Sequence, residues 1–433
     1  MQRRNFLAAS AALAAAVPST AQSGPDRIRL GVIGCGRRGR NNLRSVLKLA
    51  DDIEVAAISE VYKPNLERTL AMVPDAKVYP DFRDLIADES IDAVLVATPD
   101  HWHAYMTVEA CKAGKDVYVE KPISVTVHEG QMMVKAARKY DRVVQVGTQQ
   151  RSGQHFAEAK DIVQSGRLGT VSFVRTWNYN NLYPEGIGQP PDTDPPADLD
   201  WEMWLGPAPE RPFNKNRFGV NPYQYAHFRW FWDYAGGMMT DWGIHLLDIV
   251  LWAMAEPGPR SVTTYGGKYA LTDNRETPDT ILAAYEFPSF ACTYENRVAN
   301  GYTGGLPSYG ILFHGTEGTL YVNRSYWEIT PETRRYREPE PRVEQRMQAA
   351  RGDARNPSTD DHWRDFVAAI RSRGRPVCDI EIGHKSTAMA LLGNVSLRSR
   401  QRVDWDPVAE TTENREAQTY LRREYRAPWK LEL

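Results

Sequence analysis

Between Asp26 and about Gln150, short β-branched apolar runs alternate with helix-like stretches. IRLGVIG (28–34), IEVAAIS (53–59), IDAVLVAT (91–98), DVYVE (116–120) and VVQVG (143–147) read as strands. Helical spacing fills the gaps near 39–50, 64–73, 103–113 and 127–140. This alternation predicts a Rossmann domain over 26–150, a doubly wound parallel sheet with crossover helices. Beyond residue 150 the regime changes. A helical stretch at 154–165 leads into TVSFVRTWNYN, and then about fifty residues (180–230), rich in Pro, Gly, Asp and aromatics, carry no period. A loop that long in a compact domain is usually functional or wraps a neighbour. A helix is predicted at about 238–254. SVTTYGGKYA, DTILAAYEF, ACTYENRV, GILFHG and GTLYV then follow without intervening helices, as in an antiparallel sheet. Segment 331–358 reads as polar loop, and helices at about 360–372 and 383–400 precede a tail ending YRAPWKLEL. The fold expected is α/β: the Rossmann sheet, then an α+β domain over 151–433 with an open, mostly antiparallel sheet. The 180–230 insertion and a C-terminal extension enlarge this second domain.

The first 21 residues follow neither pattern. MQRRNFLAASAALAAAVPSTA has a twin arginine (Arg3, Arg4), an Ala-rich apolar run and a small-residue cleavage site. This resembles a twin-arginine export signal, so the mature protein is expected outside the cytoplasm, in the periplasm, carried there folded by the twin-arginine translocon. The run is too short and too weakly hydrophobic for a membrane span, and no later window offers about 18 apolar residues in a row. Composition adds exclusions. With 53 Lys+Arg against 55 Asp+Glu among 433 residues, no basic excess exists to attract nucleic acid or acidic lipid. The four cysteines stand singly, which argues against a zinc module or a disulfide scaffold. A protein folded in a reducing compartment needs no disulfides.

GCGRRG places Gly34, Gly36 and Gly39 in GxGxxG spacing where the first strand meets the first helix. The glycines give a tight turn, backbone approach to a pyrophosphate, and close packing of helix on strand. Cys35, Arg37 and Arg38 complete this cofactor-facing loop, and the helix N-terminus offers free N–H groups to the phosphates. Glu60 ends the second strand, 21 residues after Gly39, where it can accept bonds from the adenosine ribose hydroxyls. A carboxylate there repels a 2′-phosphate, so NAD is favoured; nearby Ser59 and Lys63 leave NADP possible.

Three further motifs carry a family resemblance: TPDHWH (98–103), GKDVYVEKPIS (114–124) and GGMMTDWGIHLLD (236–248). With the glycine loop they resemble the Gfo/Idh/MocA oxidoreductases, from about residue 27 to the C-terminus. The resemblance implies an active site between the domains, with Thr98, Pro99, His103, Glu120 and Lys121 bordering the cofactor. It also implies Lys121, Asp241 and His245 as catalytic and substrate-binding groups, and a homo-oligomer, dimer or tetramer, formed through the exposed face of the second sheet. The residues suit such chemistry. Lys121, at the carboxyl end of a parallel strand, points into the ligand crevice. Asp241 and His245, four apart on a helix, share a face, and His245 is the better general base. Gln149 follows the last Rossmann strand as a cofactor-side contact. Seven of the twelve tryptophans fall between 177 and 252, a density compatible with a carbohydrate cleft. Arg229, Trp232 and Tyr179 are substrate candidates there, with Trp102 and Tyr225 behind them. His101 and His103 would face one way in an extended segment and mimic metal spacing. Asp241, His245 and Asp248 also invite that reading. No matched ligand set accompanies either, and no metal is expected.

The leading expectation is an NAD(P)-dependent oxidoreductase acting on a hydroxyl or keto group of a sugar, cyclitol or related polyol. Free nicotinamide cofactor is scarce outside the cytoplasm, so tight binding is expected too. The alternatives are an NAD-dependent glycoside hydrolase, working by oxidation, elimination, hydration and re-reduction, and a non-catalytic sugar or nucleotide sensor.

Overall fold

The computed structural model describes residues 27–218, 226–355 and 358–433; the export-signal stretch and Tyr225 lie outside them. The first half runs β1 (Ile28–Ile33), α1 (Arg37–Val46), β2 (Ile53–Ser59), α2 (Lys63–Leu70), β3 (Lys77–Tyr79), α3 (Phe82–Ala87), β4 (Ala93–Val96), α4 (Asp100–Lys112), β5 (Asp116–Val119), α5 (Val127–Lys139) and β6 (Val144–Val146). Its six strands lie in the order β3-β2-β1-β4-β5-β6, every pair parallel. Strand order reverses between β1 and β4, which opens a crevice at the carboxyl ends of both. Local chemistry sets the helices that flank it. Asp81 caps α3 through the Arg83 N–H, and Thr126 with Glu129 forms a capping box on α5.

The second half begins with α6 (Gln154–Gln164) and β7 (Val171–Tyr179). The 180–230 insertion holds β8 (Asp192–Thr193), α7 (Trp201–Leu205), β9 (Phe213–Asn214) and α8 (Lys215–Phe218). With the residues that follow it, it builds a small core in which Trp204, Phe213, Phe218, Phe231 and Tyr234 meet. A π-helical turn, Met239–Gly243, runs into α9 (Ile244–Met254). Next come β10 (Ser261–Gly267), β11 (Thr280–Glu286), β12 (Ala291–Arg297), β13 (Tyr309–Gly315), β14 (Gly318–Val322), β15 (Tyr326–Pro331), β16 (Thr333–Tyr336), β17 (Arg342–Gln345) and β18 (Ala350–Asp353). The chain ends with α10 (Ser358–Ser372), α11 (Ile380–Ser399), β19 (Val403–Asp404) and α12 (Arg415–Gln418).

Nine strands form the second sheet, in the order β18-β15-β14-β13-β7-β12-β11-β10-β19, antiparallel throughout except where β12 meets β7. One face buries Ala283, Tyr285 and Phe313 against Leu247 and Val250 of α9 and Leu392 of α11. The segment read as a polar loop, 331–358, instead carries three short strands. β16 and β17 pair as a hairpin exposed on both faces, so no apolar alternation marks it in the sequence. Helix α10 packs back on the first sheet: Trp363 stacks on Tyr118 with ring centroids 4.2 Å apart. Among the described residues no helix is long and apolar enough to cross a membrane.

Candidate active site

A cavity of about 440 Å³ lies between the two sheets and runs from the glycine loop to the start of α9. That is the size of a ligand site. At its outer end Gly34 has φ +91°, and a side chain there would press on the Ala97 carbonyl at 2.7 Å. A Cβ on Gly39 would collide with the Gly34 carbonyl oxygen, whereas one on Gly36 would meet nothing within 4 Å. The loop is therefore closed on its protein side and open toward the cavity, as a dinucleotide pyrophosphate requires. Glu60 accepts the N–H groups of Cys35 (2.7 Å) and Tyr62 (3.0 Å). Burial raises its carboxyl to about 6 against those backbone bonds. Cys35 turns its thiol into the core, so its backbone alone serves the loop.

Arg38, in the first turn of α1, reaches Glu120 with its Nε at 2.6 Å, and Asn42 donates to the same oxygen at 2.9 Å. Burial disfavours the Glu120 carboxylate, but Arg38, Asn42 and Lys121 outweigh it and hold the group below its ordinary value. The glycine loop is thus tied to the residue beside Lys121. His103 makes a second tie. Its Nδ1 lies 2.7 Å from the Pro122 carbonyl and its Nε2 2.9 Å from that of Thr98. Thr98, Pro99 and His103 all line the cavity. α4 begins at Asp100, so His101 and His103 stand on a helix and diverge instead of facing one way. His101 Nε2 lies 3.1 Å from the Trp204 carbonyl.

At the inner end, Lys121 Nζ donates to Asp241 Oδ1 at 2.7 Å and to the Asp241 carbonyl at 2.8 Å. Arg229 Nε donates to the same Oδ1 at 2.9 Å. Asp241 is 4% exposed. Burial opposes its ionisation, yet Arg229 and Lys121 prevail and hold the carboxyl well below the usual carboxylate range. His245 lines the cavity one turn on. Burial, then Lys121, Arg324 and Arg38, push it well below 6.5, so the imidazole is neutral at neutral pH. Its Nδ1 is buried without a partner among the described residues, as is Oε1 of Gln149, which also borders the cavity.

Two of the expected substrate residues lie elsewhere. Tyr179 donates to Glu295 at 2.7 Å and has Arg297 over its ring, and Trp232 packs beneath Arg398; neither lines the cavity. Asp248 pairs with Arg151 at 2.9 Å and accepts from Ser386 at 2.6 Å, away from Asp241 and His245. Among the described residues no group of three metal-type donors converges.

Arg324 and Asp100 also line the cavity, beyond the residues expected there. Arg324 follows β14, donates to Gln150 Oε1 at 2.9 Å and lies over the Trp242 ring. Asp100 sits inside TPDHWH, where the histidines drew the attention. Its carboxyl is buried, and burial lifts it to about 7 despite Arg229 and Lys121.

A parallel dinucleotide-type sheet with its glycine loop, joined across one cavity to a second unit whose π-turn and α9 supply Asp241 and His245, defines a two-domain protein of the Rossmann oxidoreductase class. The family follows from the sequence. The NAD-binding Rossmann domain of the GFO/IDH/MocA oxidoreductase family matches residues 28–148, its C-terminal alpha/beta domain 152–264, and the GFO/IDH/MocA C-terminal domain, overlapping that match, 215–321. The chain belongs to the Gfo/Idh/MocA oxidoreductase family. It is 30% identical over 155 residues to inositol 2-dehydrogenase of Salmonella paratyphi B, which covers 35% of the chain and 46% of that relative. It is 32% identical over 148 residues to myo-inositol 2-dehydrogenase of Thermotoga maritima, covering 34% and 44%. These matches span about half the length of the curated relatives. Among solved structures, the WlbA dehydrogenase from Bordetella pertussis, in complex with NADH and UDP-GlcNAcA, superposes with TM-score 0.65 at 20% identity, over 88% of this chain and 99% of that one. Levoglucosan dehydrogenase with NADH and levoglucosan gives 0.64 at 18%, over 87% and 99%. Both share the fold.

Proposed function

We propose that the protein is an NAD(P)-dependent oxidoreductase acting on a CH–OH or keto group of a sugar, cyclitol or related polyol. One observation carries the reading: Lys121 and Asp241, 2.7 Å apart, sit with His245 at the inner end of the cavity whose outer end is the glycine loop and Glu60. Bound NAD supplies the acceptor or donor of a hydride. The chain manages the rest. Asp241 anchors the Lys121 ammonium, which holds the reacting oxygen, and the neutral His245 takes the hydroxyl proton during oxidation or returns it during reduction. The polar, charged lining at this end suits a polyhydroxylated substrate, and a sequence relative named for inositol supports the same substrate class.

Export by the twin-arginine route, dimer or tetramer formation and retention of cofactor through turnover belong to the same proposal. They rest on Arg3-Arg4 and the apolar run behind them, on the family, and on the scarcity of free cofactor outside the cytoplasm. The test is to purify the protein, denature it, identify the released nucleotide and screen polyols against the holoenzyme by absorbance at the reduced-nicotinamide band. Redox turnover with a sugar or cyclitol is expected; a holoenzyme that leaves its nicotinamide unchanged across the panel would sink the reading. Release of an aglycone from a nitrophenyl glycoside without added NAD would move it to the hydrolytic variant.

A further inference from the structure

Apart from Arg229, which pairs with Asp241, the 180–230 insertion has no part in the chemistry above, yet it does not hang free. Lys63 N–H donates to the Asp198 carbonyl at 2.9 Å, Asp200 N–H donates to the Val61 carbonyl at 3.0 Å, and Tyr62 pairs with Leu199 as an antiparallel bridge. The insertion is therefore stitched to the three residues that follow Glu60. Phe218 stands edge-on to Tyr62, ring centroids 5.1 Å apart. Met203, Trp204 and Phe218 line the same cavity as the glycine loop and Phe82.

We propose that residues 196–208, together with Phe218, form the outer wall of the adenosine half of the dinucleotide site and hold the cofactor in place between turnovers. Glu60 marks where the ribose hydroxyls belong in a sheet of this order. A base attached to that ribose would lie beside Val61 and Tyr62, and the wall there is aromatic and apolar, as suits one face of a purine. The wall is bolted from behind. The Trp102 indole N–H donates to the Trp204 carbonyl at 2.9 Å. Arg426 Nε donates to the carbonyls of Gly206 (3.0 Å) and Ala208 (3.1 Å), and its backbone N–H donates to that of Pro207 at 3.1 Å. Trp429 packs edge-on against Trp102, 4.8 Å between centroids. For the adenosine to leave sideways, this whole assembly has to move, so departure is slow. The inference rests on the proposed use of a retained dinucleotide, and its test separates the two.

Full-length protein is freed of loose nucleotide by gel filtration, dialysed, and its bound dinucleotide counted after denaturation. The wild type is expected to keep close to one per chain. Phe218→Ala and Arg426→Ala are expected to lose it at least tenfold faster, and Arg426→Ala to regain turnover when NAD is added back. Folded variants that hold cofactor as the wild type does would overturn the wall. A wild type that releases its cofactor on dialysis would overturn retention, and with it that part of the proposal. Photolabelling of the wild type with 8-azidoadenine-NAD does not depend on any variant folding. Label is expected on peptides containing Met203 to Phe218, and label confined to residues 28–146 would refute the wall.

Discussion

Glu60, half-buried, and Asp241, buried, are carboxylates at opposite ends of one cavity, and they titrate in opposite directions. Glu60 is satisfied by backbone N–H groups from its own neighbourhood, and burial leaves it raised, at about 6. Asp241 is satisfied by two side-chain cations, one of them 120 residues away in sequence, and stays ionised. Peptide dipoles reduce the cost of a buried charge without cancelling it; full charges at 2.7–2.9 Å cancel it. The cofactor end is thus built to keep a group that can be neutralised, and the catalytic end to keep a fixed ionic cluster.

The largest effect expected from breaking this contrast is at Lys121. Lys121→Ala should lower kcat about 10³-fold. The melting temperature should move only a few degrees, because Arg229 still pairs with Asp241. Turnover with saturating NAD and a thermal melt check both. At the other end, Glu60→Gln should shift the NADP-to-NAD preference about tenfold toward NADP, since one charge repulsion worth about 1.4 kcal/mol is removed. pH should mimic that substitution. Below about 6 the Glu60 carboxyl takes up a proton, so the preference for NAD over NADP, measured as a ratio of kcat/KM, should narrow as pH falls through 6. Asp100 sharpens the comparison, being buried beside the cations without a side-chain donor of its own among the described residues. It is neutral below about pH 7 and ionised above. Its negative charge favours a cationic oxidised nicotinamide, so kcat/KM for alcohol oxidation should rise a few-fold as pH passes 7, and Asp100→Asn should flatten that rise. The smallest effects belong to Tyr179→Phe and Trp232→Ala, whose KM should stay within about twofold of wild type because neither side chain reaches the cavity.

The first sheet, the glycine loop, Glu60 and the Lys121 turn were legible because each is fixed by local constraints: strand period, positive φ, acidic strand end, strand terminus. Asp241 and His245 were legible as a pair on one helix, although the Met239–Gly243 turn is π-helical, a local winding that the residue spacing does not show. Arg324 carried no signal, since a single arginine after a strand is distinguished only by the cavity it meets. Trp232 and Tyr179 misled because aromatic density marks packing and ligand sites alike, and here both rings pack under arginines. The insertion read as aperiodic because its elements are short and its order comes from an irregular aromatic cluster and from contacts with residues 61–63 and the tail.

The bolt at Arg426 also has a consequence in time. Arg426 donates to the Gly206 carbonyl across 220 residues of sequence. At bacterial and eukaryotic synthesis rates of about 5–20 residues per second, the ribosome needs roughly 10 to 45 s to travel between them. Throughout that interval the first sheet and residues 196–206 are already made while the tail that pins them is not. A nascent chain therefore passes through a stage in which this side of the crevice is unbolted, and the arrival of the tail ends it.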